Sequence, residues 1–207
     1  MISSTIVRVD GARFVRDGVD LIAPFSLRLE ADEMATVEQP NARAAKIAAR
    51  IAAGIVKPTS GRAFIADFDT RLQPAQAKRL VGFVPAEGFR VEGPPVETIA
   101  RALAAIESEL RFRAAVWGAN YASMRRRAES ELAAYTFLRD GQSQAHALAL
   151  ALALSTEPAL IVLELPPAGV AEHVAAATPG CAIVSSSVSG QETIASQVAT
   201  PLAEVTG

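Results

Sequence analysis

The chain has 207 residues, a formal net charge of −2 and acids and bases scattered along its length, which describes one ordinary domain and leaves no basic footprint for nucleic acid. Half of the residues are hydrophobic but only 5% are aromatic, an aliphatic excess that suits a buried parallel sheet or an apolar surface covered by a partner. A single cysteine (Cys181) and two histidines exclude a disulfide framework and argue against structural zinc.

The first third reads as β. "STIVRVD" and "RFV" are strand-like, and "FSLRLE" (25–30) alternates as a half-exposed strand does. "EMATVE" is a short apolar strand, and an Ala-rich helix follows to about Ala53, where Gly54 is placed to stop it. "KPTSG" (57–61) is a turn cluster, "RAFIADFD" a strand, "PAQAKRL" a helical turn and "VGFVP" (81–85) a buried strand. From Val96 the period becomes helical, with Ile99, Leu103, Ile106, Leu110 and Ala114 on one face. A second helix runs from about Tyr121 to Tyr135.

"AHALALALALS" (145–155) alternates with a period of two, yet Ala and Leu favour helix and no β-branched residue is present. The expectation is a helix buried nearly all round. It falls short of the roughly 20 residues a membrane span needs. "ALIVLEL" (159–165) and "CAIVSSS" (181–187) are strands separated by a helical "AGVAEHVAAAT". Strands alternating with helices predict an α/β fold with a mainly parallel sheet. Cys181, opening a strand, is expected in a small apolar role. "MISSTIVRVD" carries no basic-then-apolar signal segment, so the expectation is a soluble, cytoplasmic protein.

Laid end to end, these segments resemble the ATP-binding subunit of an ABC transporter over nearly the whole chain. The resemblance is clearest in "PNARAAKIAARIAAGIVKPTSGRAFIADFDT" (40–70), where Pro40, Asn41, Ala53, Gly54 and the "KPTSG" turn fit the family's frame without a gap. "KRLVGFVP" looks like the strand before the glutamine loop, "STEPALIVLELP" like the Walker B strand and "PAGV" like the dimer loop. The resemblance implies a P-loop NTPase-like core at 1–89 and 140–207, with an N-terminal antiparallel β portion and an inserted α-helical lobe at about 90–139.

The chemical positions depart from that family. A P-loop works because glycine-rich backbone N–H groups face phosphates, a lysine neutralises them and a hydroxyl holds magnesium. In the ungapped register the loop glycines become Gln39, Ala42 and Ala44, the lysine becomes Ala45, and Lys46 and Ile47 replace the hydroxyl pair. Sliding by one places Lys46 correctly but leaves Ile47 facing magnesium. A Cβ at a left-handed glycine costs about 1–2 kcal/mol, and a lost charge-assisted contact costs about 1.5–3 kcal/mol. Three such losses weaken nucleotide binding by several orders of magnitude. No ATP or magnesium cofactor is therefore expected.

Elsewhere the implied magnesium aspartate is Glu164, the catalytic glutamate is Leu165, the glutamine of the glutamine loop is Ala86 and the dimer-loop aspartate is Ala171. The signature segment maps to "DGQSQ" (140–144) or "LRDGQ" (138–142), and the switch histidine to Ser186 or Ser187. Phe14 stands about where an adenine-stacking aromatic belongs, although a lone strand Phe is more often core. Lys46 suits a solvated helix face, and Glu164 suits pairing with a nearby base.

The expectation is thus a catalytically degenerate ATP-binding-type subunit of an ABC transport complex, peripheral on the inner face of the membrane. Its implied partners are a membrane permease and a sister ATP-binding subunit or a second copy. By position, the implied permease contact is Glu87, Phe89, Arg90, Val91, Val96 and Ile99. An ATPase with an unusual loop, and a soluble scaffold or nucleotide sensor, are the alternatives.

Overall fold

The structure is a computed structural model that describes residues 5–91, 96, 98–134 and 141–190, with 134 and 141–143 described by backbone alone. Among the described residues, two four-stranded sheets, one two-stranded sheet and six helices build it. The first sheet is antiparallel, in the order β4 (Phe25–Glu30), β1 (Thr5–Arg13), β6 (Ser60–Ile65), β7 (Phe68–Asp69). The second is parallel, in the order β5 (Met34–Gln39), β10 (Ala182–Val188), β9 (Leu160–Leu163), β8 (Val81–Val84).

The predicted strand over 62–69 is instead a hairpin. Ala66 and Asp67 both take positive φ (44° and 68°), reversing the chain so that Ile65 pairs with Phe68. "RFV" also divides: β1 runs on through Arg13, while β2 (Val15–Arg16) turns through Asp17-Gly18 into β3 (Val19–Asp20). Both turn residues have φ > 0, as a two-residue hairpin turn requires.

Helix α1 (Ala42–Ala52) fills the space between the sheets with small residues; Ala44, Ala48, Ala49, Ile51 and Ala52 are fully buried against Val7, Ile65, Leu160 and Val184. Its C-terminus closes as the sequence predicts. Gly54 is left-handed (φ 66°), its N–H donates to Ile51 (3.0 Å), and the Ile55 N–H donates to Arg50 (2.8 Å). After the short α2 (Pro74–Arg79), β8 leads toward α3 (Ile99–Trp117) and α4 (Tyr121–Ala134). The helix does not begin at Val96. Thr98, in extended backbone, caps it with its hydroxyl on the Arg101 N–H (3.3 Å).

Leu103, Ile106, Leu110 and Ala114 of α3 pack with Met124, Ala128 and Leu132 of α4 into a second core. Ile99 is only partly buried against it. Helix α5 (Gly141–Leu154) joins the cores: Leu148 and Leu152 face α3 and α4, while Leu150 and Leu154 meet Ile161, Leu163 and Ile183 of the parallel sheet. Every residue from 147 to 154 is buried, so the two-period run is the all-round buried helix. Helix α6 (Val170–Ala177) covers the sheet with Val174. Cys181 is half-buried, its thiol on the Pro158 carbonyl (2.8 Å), and burial pushes its pKa up. Among the described residues no helix is long and apolar enough to cross a membrane.

Candidate functional site

Parallel α/β sheets collect ligands at the C-terminal ends of their strands, and the sequence-derived positions Gln39, Glu164, Ala86 and Ser186 converge there. What the chain builds at this edge differs from a phosphate cradle in a specific way. Strand β5 stays paired with β10 through Gln39 opposite Val188, and the Ser189 N–H continues the ladder onto the Gln39 carbonyl (2.8 Å). Helix α1 begins at Ala42. Only Pro40 and Asn41 connect them.

Asn41 is an ordinary helix cap. Its Oδ1 accepts the Ala44 N–H (2.9 Å) and its carbonyl accepts the Ala45 N–H (2.9 Å). Two of the backbone donors that a phosphate-binding loop would turn toward its ligand, those of Ala44 and Ala45, are thus taken by Asn41. Ala42 is the first helical residue, and Ala44 and Ala45 are fully buried. Gln39 is 1% exposed, with its amide held by Ala23.

The charged residues cluster on the far side of α1. Glu164 follows β9 with a side chain wholly removed from solvent. The Arg50 guanidinium donates to it through Nε (2.7 Å) and Nη2 (3.4 Å), and the Ala86 N–H donates to its second oxygen (3.0 Å). Lys46, one turn before Arg50, reaches Glu87 (3.3 Å) rather than standing free in solvent. The Glu87 carboxyl is held below its ordinary value chiefly by its own backbone N–H, with Lys46 and Arg50 acting against a desolvation cost. Leu165 takes positive φ (46°), and its N–H donates to Ser186 Oγ (3.1 Å).

Phe14 packs against the main core. Of the signature segment, 138–140 lie outside the described residues. Gln144 is buried and grips the Val96 backbone in both directions, at 3.1 and 2.6 Å. Among the described residues no group of three or more His, Cys, Asp or Glu side chains could hold a metal ion.

The residues expected to meet a permease are dispersed. Val96 is buried in the helical core, Ile99 is partly buried there, and Glu87 is paired with Lys46. Phe89 lines an open groove of about 330 Å³ between core and helical segment, and Val91 and Arg90 are exposed. Its apolar wall includes Ile55, Phe83, Phe112, Val116 and Trp117. Phe112 and Val116 are 62% and 52% exposed. The alternative helical face of α3 carried that signal in the sequence.

These elements define an α/β fold of the ABC ATPase type, with an antiparallel N-terminal sheet, a parallel sheet and a helical segment. Among solved structures the chain is similar to an ATP-binding subunit of an ABC transporter, at 17% identity over 87% of this chain and 79% of that one, with a TM-score of 0.61. It is similar to the ATP-binding cassette MJ0796, a dimer bound to ADP and Pi, at 17% identity over 87% of each chain (TM-score 0.61). A third is cbiO1 of Clostridium perfringens, part of the ABC transporter complex cbiONQ, at 17% identity over 90% and 79% (TM-score 0.57). No protein-family model and no curated protein matches the sequence. At these identities the likeness is one of fold.

Proposed function

We propose that this chain is a catalytically degenerate ATP-binding-type subunit of an ABC transport complex, a structural partner to a membrane permease and to an active sister subunit. The observation that carries this reading is the connection from β5 to α1. Two residues, one of them an asparagine cap, cannot wrap a triphosphate, and the Ala44 and Ala45 N–H groups are engaged by Asn41. Arg50 already neutralises Glu164, the carboxylate nearest a magnesium position. Leu165, beside it, can neither orient a water nor accept a proton.

Calorimetric titration with magnesium and ATP tests the first half. No saturable binding is expected at millimolar ATP, and no turnover above background. Micromolar binding would identify a nucleotide sensor, and magnesium-dependent turnover an atypical ATPase.

The groove lined by Phe89, Phe112 and Val116 is the surface proposed to receive a permease helix. Because Phe112 is exposed, Phe112→Asp leaves the fold intact while placing a charge in an apolar contact. Retention of the variant on detergent-solubilised membranes as firmly as wild type would remove the groove as the docking site.

A further inference from the structure

We infer that Arg50 is a built-in cation that pins the connector between core and helical segment, fixing their relation without a ligand. A carboxylate with no solvent access at the end of a parallel strand requires a counter-charge. Here the chain supplies it from the third turn of α1, in a two-nitrogen contact with Glu164. The same carboxylate takes the N–H of Ala86, the second residue after β8. One helical turn back, on the same face of α1, Lys46 takes Glu87. Two successive connector residues are thereby tied to α1, Glu87 directly and Ala86 through Glu164.

The next two are tied to α5. Gly88 is left-handed (φ 67°) and lies so close to α5 that a Cβ would stand 2.4 Å from the Ala145 carbonyl carbon. The Phe89 N–H donates to the Ala145 carbonyl (2.7 Å). The line α1, Ala86–Phe89, α5 therefore runs from the sheet core to the helical core with a fixed contact at each step. Two acids and two bases, Glu87, Glu164, Lys46 and Arg50, balance within it. This inference rests on the reading above in one respect, that no ligand replaces Arg50 at Glu164.

Amide hydrogen exchange over residues 84–91 tests it in the full chain. Arg50→Met combined with Glu164→Met removes both charges and keeps the volume, so the core is preserved. The Ala86 amide should then exchange about tenfold faster or more, while amides of β1 keep their wild-type rates. Arg50→Lys keeps the charge but loses the two-nitrogen contact, and should accelerate Ala86 severalfold even if the double variant fails to fold. Wild-type rates at Ala86 in either folded variant would overturn the pin. Addition of magnesium and ATP to the wild type should leave residues 84–91 unchanged. Slowing there would instead overturn the ligand-free reading, whatever the variants show.

Discussion

The side-chain amide of Gln39 grips the backbone of Ala23 in both directions, accepting its N–H at 2.8 Å and donating to its carbonyl at 3.2 Å. It thereby fastens the segment before β4 to the end of the parallel sheet, at a position where the resemblance implies a loop glycine. Gln39→Ala leaves both groups of Ala23 without that partner and should cost about 1–3 kcal/mol. Denaturant unfolding measures it. A loss below about 0.5 kcal/mol would mean that water replaces the amide freely.

The same edge makes a counterintuitive prediction about restoring a phosphate lysine. Ala45 occupies the lysine's place in the ungapped register but is fully buried in the first turn of α1. Ala45→Lys should therefore destabilise the fold by several kcal/mol, roughly 3 or more, and leave ATP binding undetectable. A stable Ala45→Lys protein that binds ATP would show that the connection can reopen into a loop.

Gly88 offers a separate test of how tightly the connector is packed. Its positive φ alone makes an added Cβ cost about 1–2 kcal/mol, and the atoms in the way are backbone of Ala145 and His146 rather than a movable side chain. Gly88→Ala should lower the unfolding midpoint and raise exchange along the start of α5. Gly118 shares the left-handed conformation but has open space around it, so Gly118→Ala should cost only the conformational part. Equal losses at the two positions would contradict the packing argument.

The α/β alternation and the all-round buried α5 are legible because they rest on periodicity and on Ala-Leu composition, which the two cores use directly. The antiparallel placing of the N-terminal strands rests on the resemblance. The hairpin at Ala66–Asp67 is not legible, because neither residue advertises a positive φ and the flanking Phe64, Ile65 and Phe68 read as one apolar run. The candidate site divides the same way. Substitution of Ala, Leu and Gln at chemical positions is visible in the sequence. That Asn41 would cap the helix two residues after the strand is a matter of where β5 ends, and ladder pairing between Gln39 and Val188 decides that. The Arg50 pairing is not legible in the sequence, because Glu164 lies 114 residues away. A second base one turn after Lys46, on the same face of an Ala-rich helix, is the available clue.

A final prediction concerns Glu131, half-buried on α4 beside Leu154, Pro158 and Thr178. Desolvation raises its carboxyl pKa, and the charge of His173 on α6 opposes the shift. Arg127, one turn earlier on α4, is engaged with Glu157. A folded-state pKa above the unfolded one means that the folded protein holds the proton longer. The ionised carboxylate therefore weakens folding at neutral pH, and that cost disappears as pH falls through the raised folded value. Glu131→Gln removes the charge at every pH, so it should stabilise the protein near pH 7. The gain should be under about 1 kcal/mol, because solvent screens a half-exposed group. It should shrink on acidification and vanish below about pH 4, where wild-type Glu131 is protonated whether folded or not. Thermal unfolding of both proteins from pH 4 to pH 8 decides it: a loss of stability in Glu131→Gln near pH 7 that fades on acidification would place the carboxylate in a favourable pairing, with His173 outweighing desolvation.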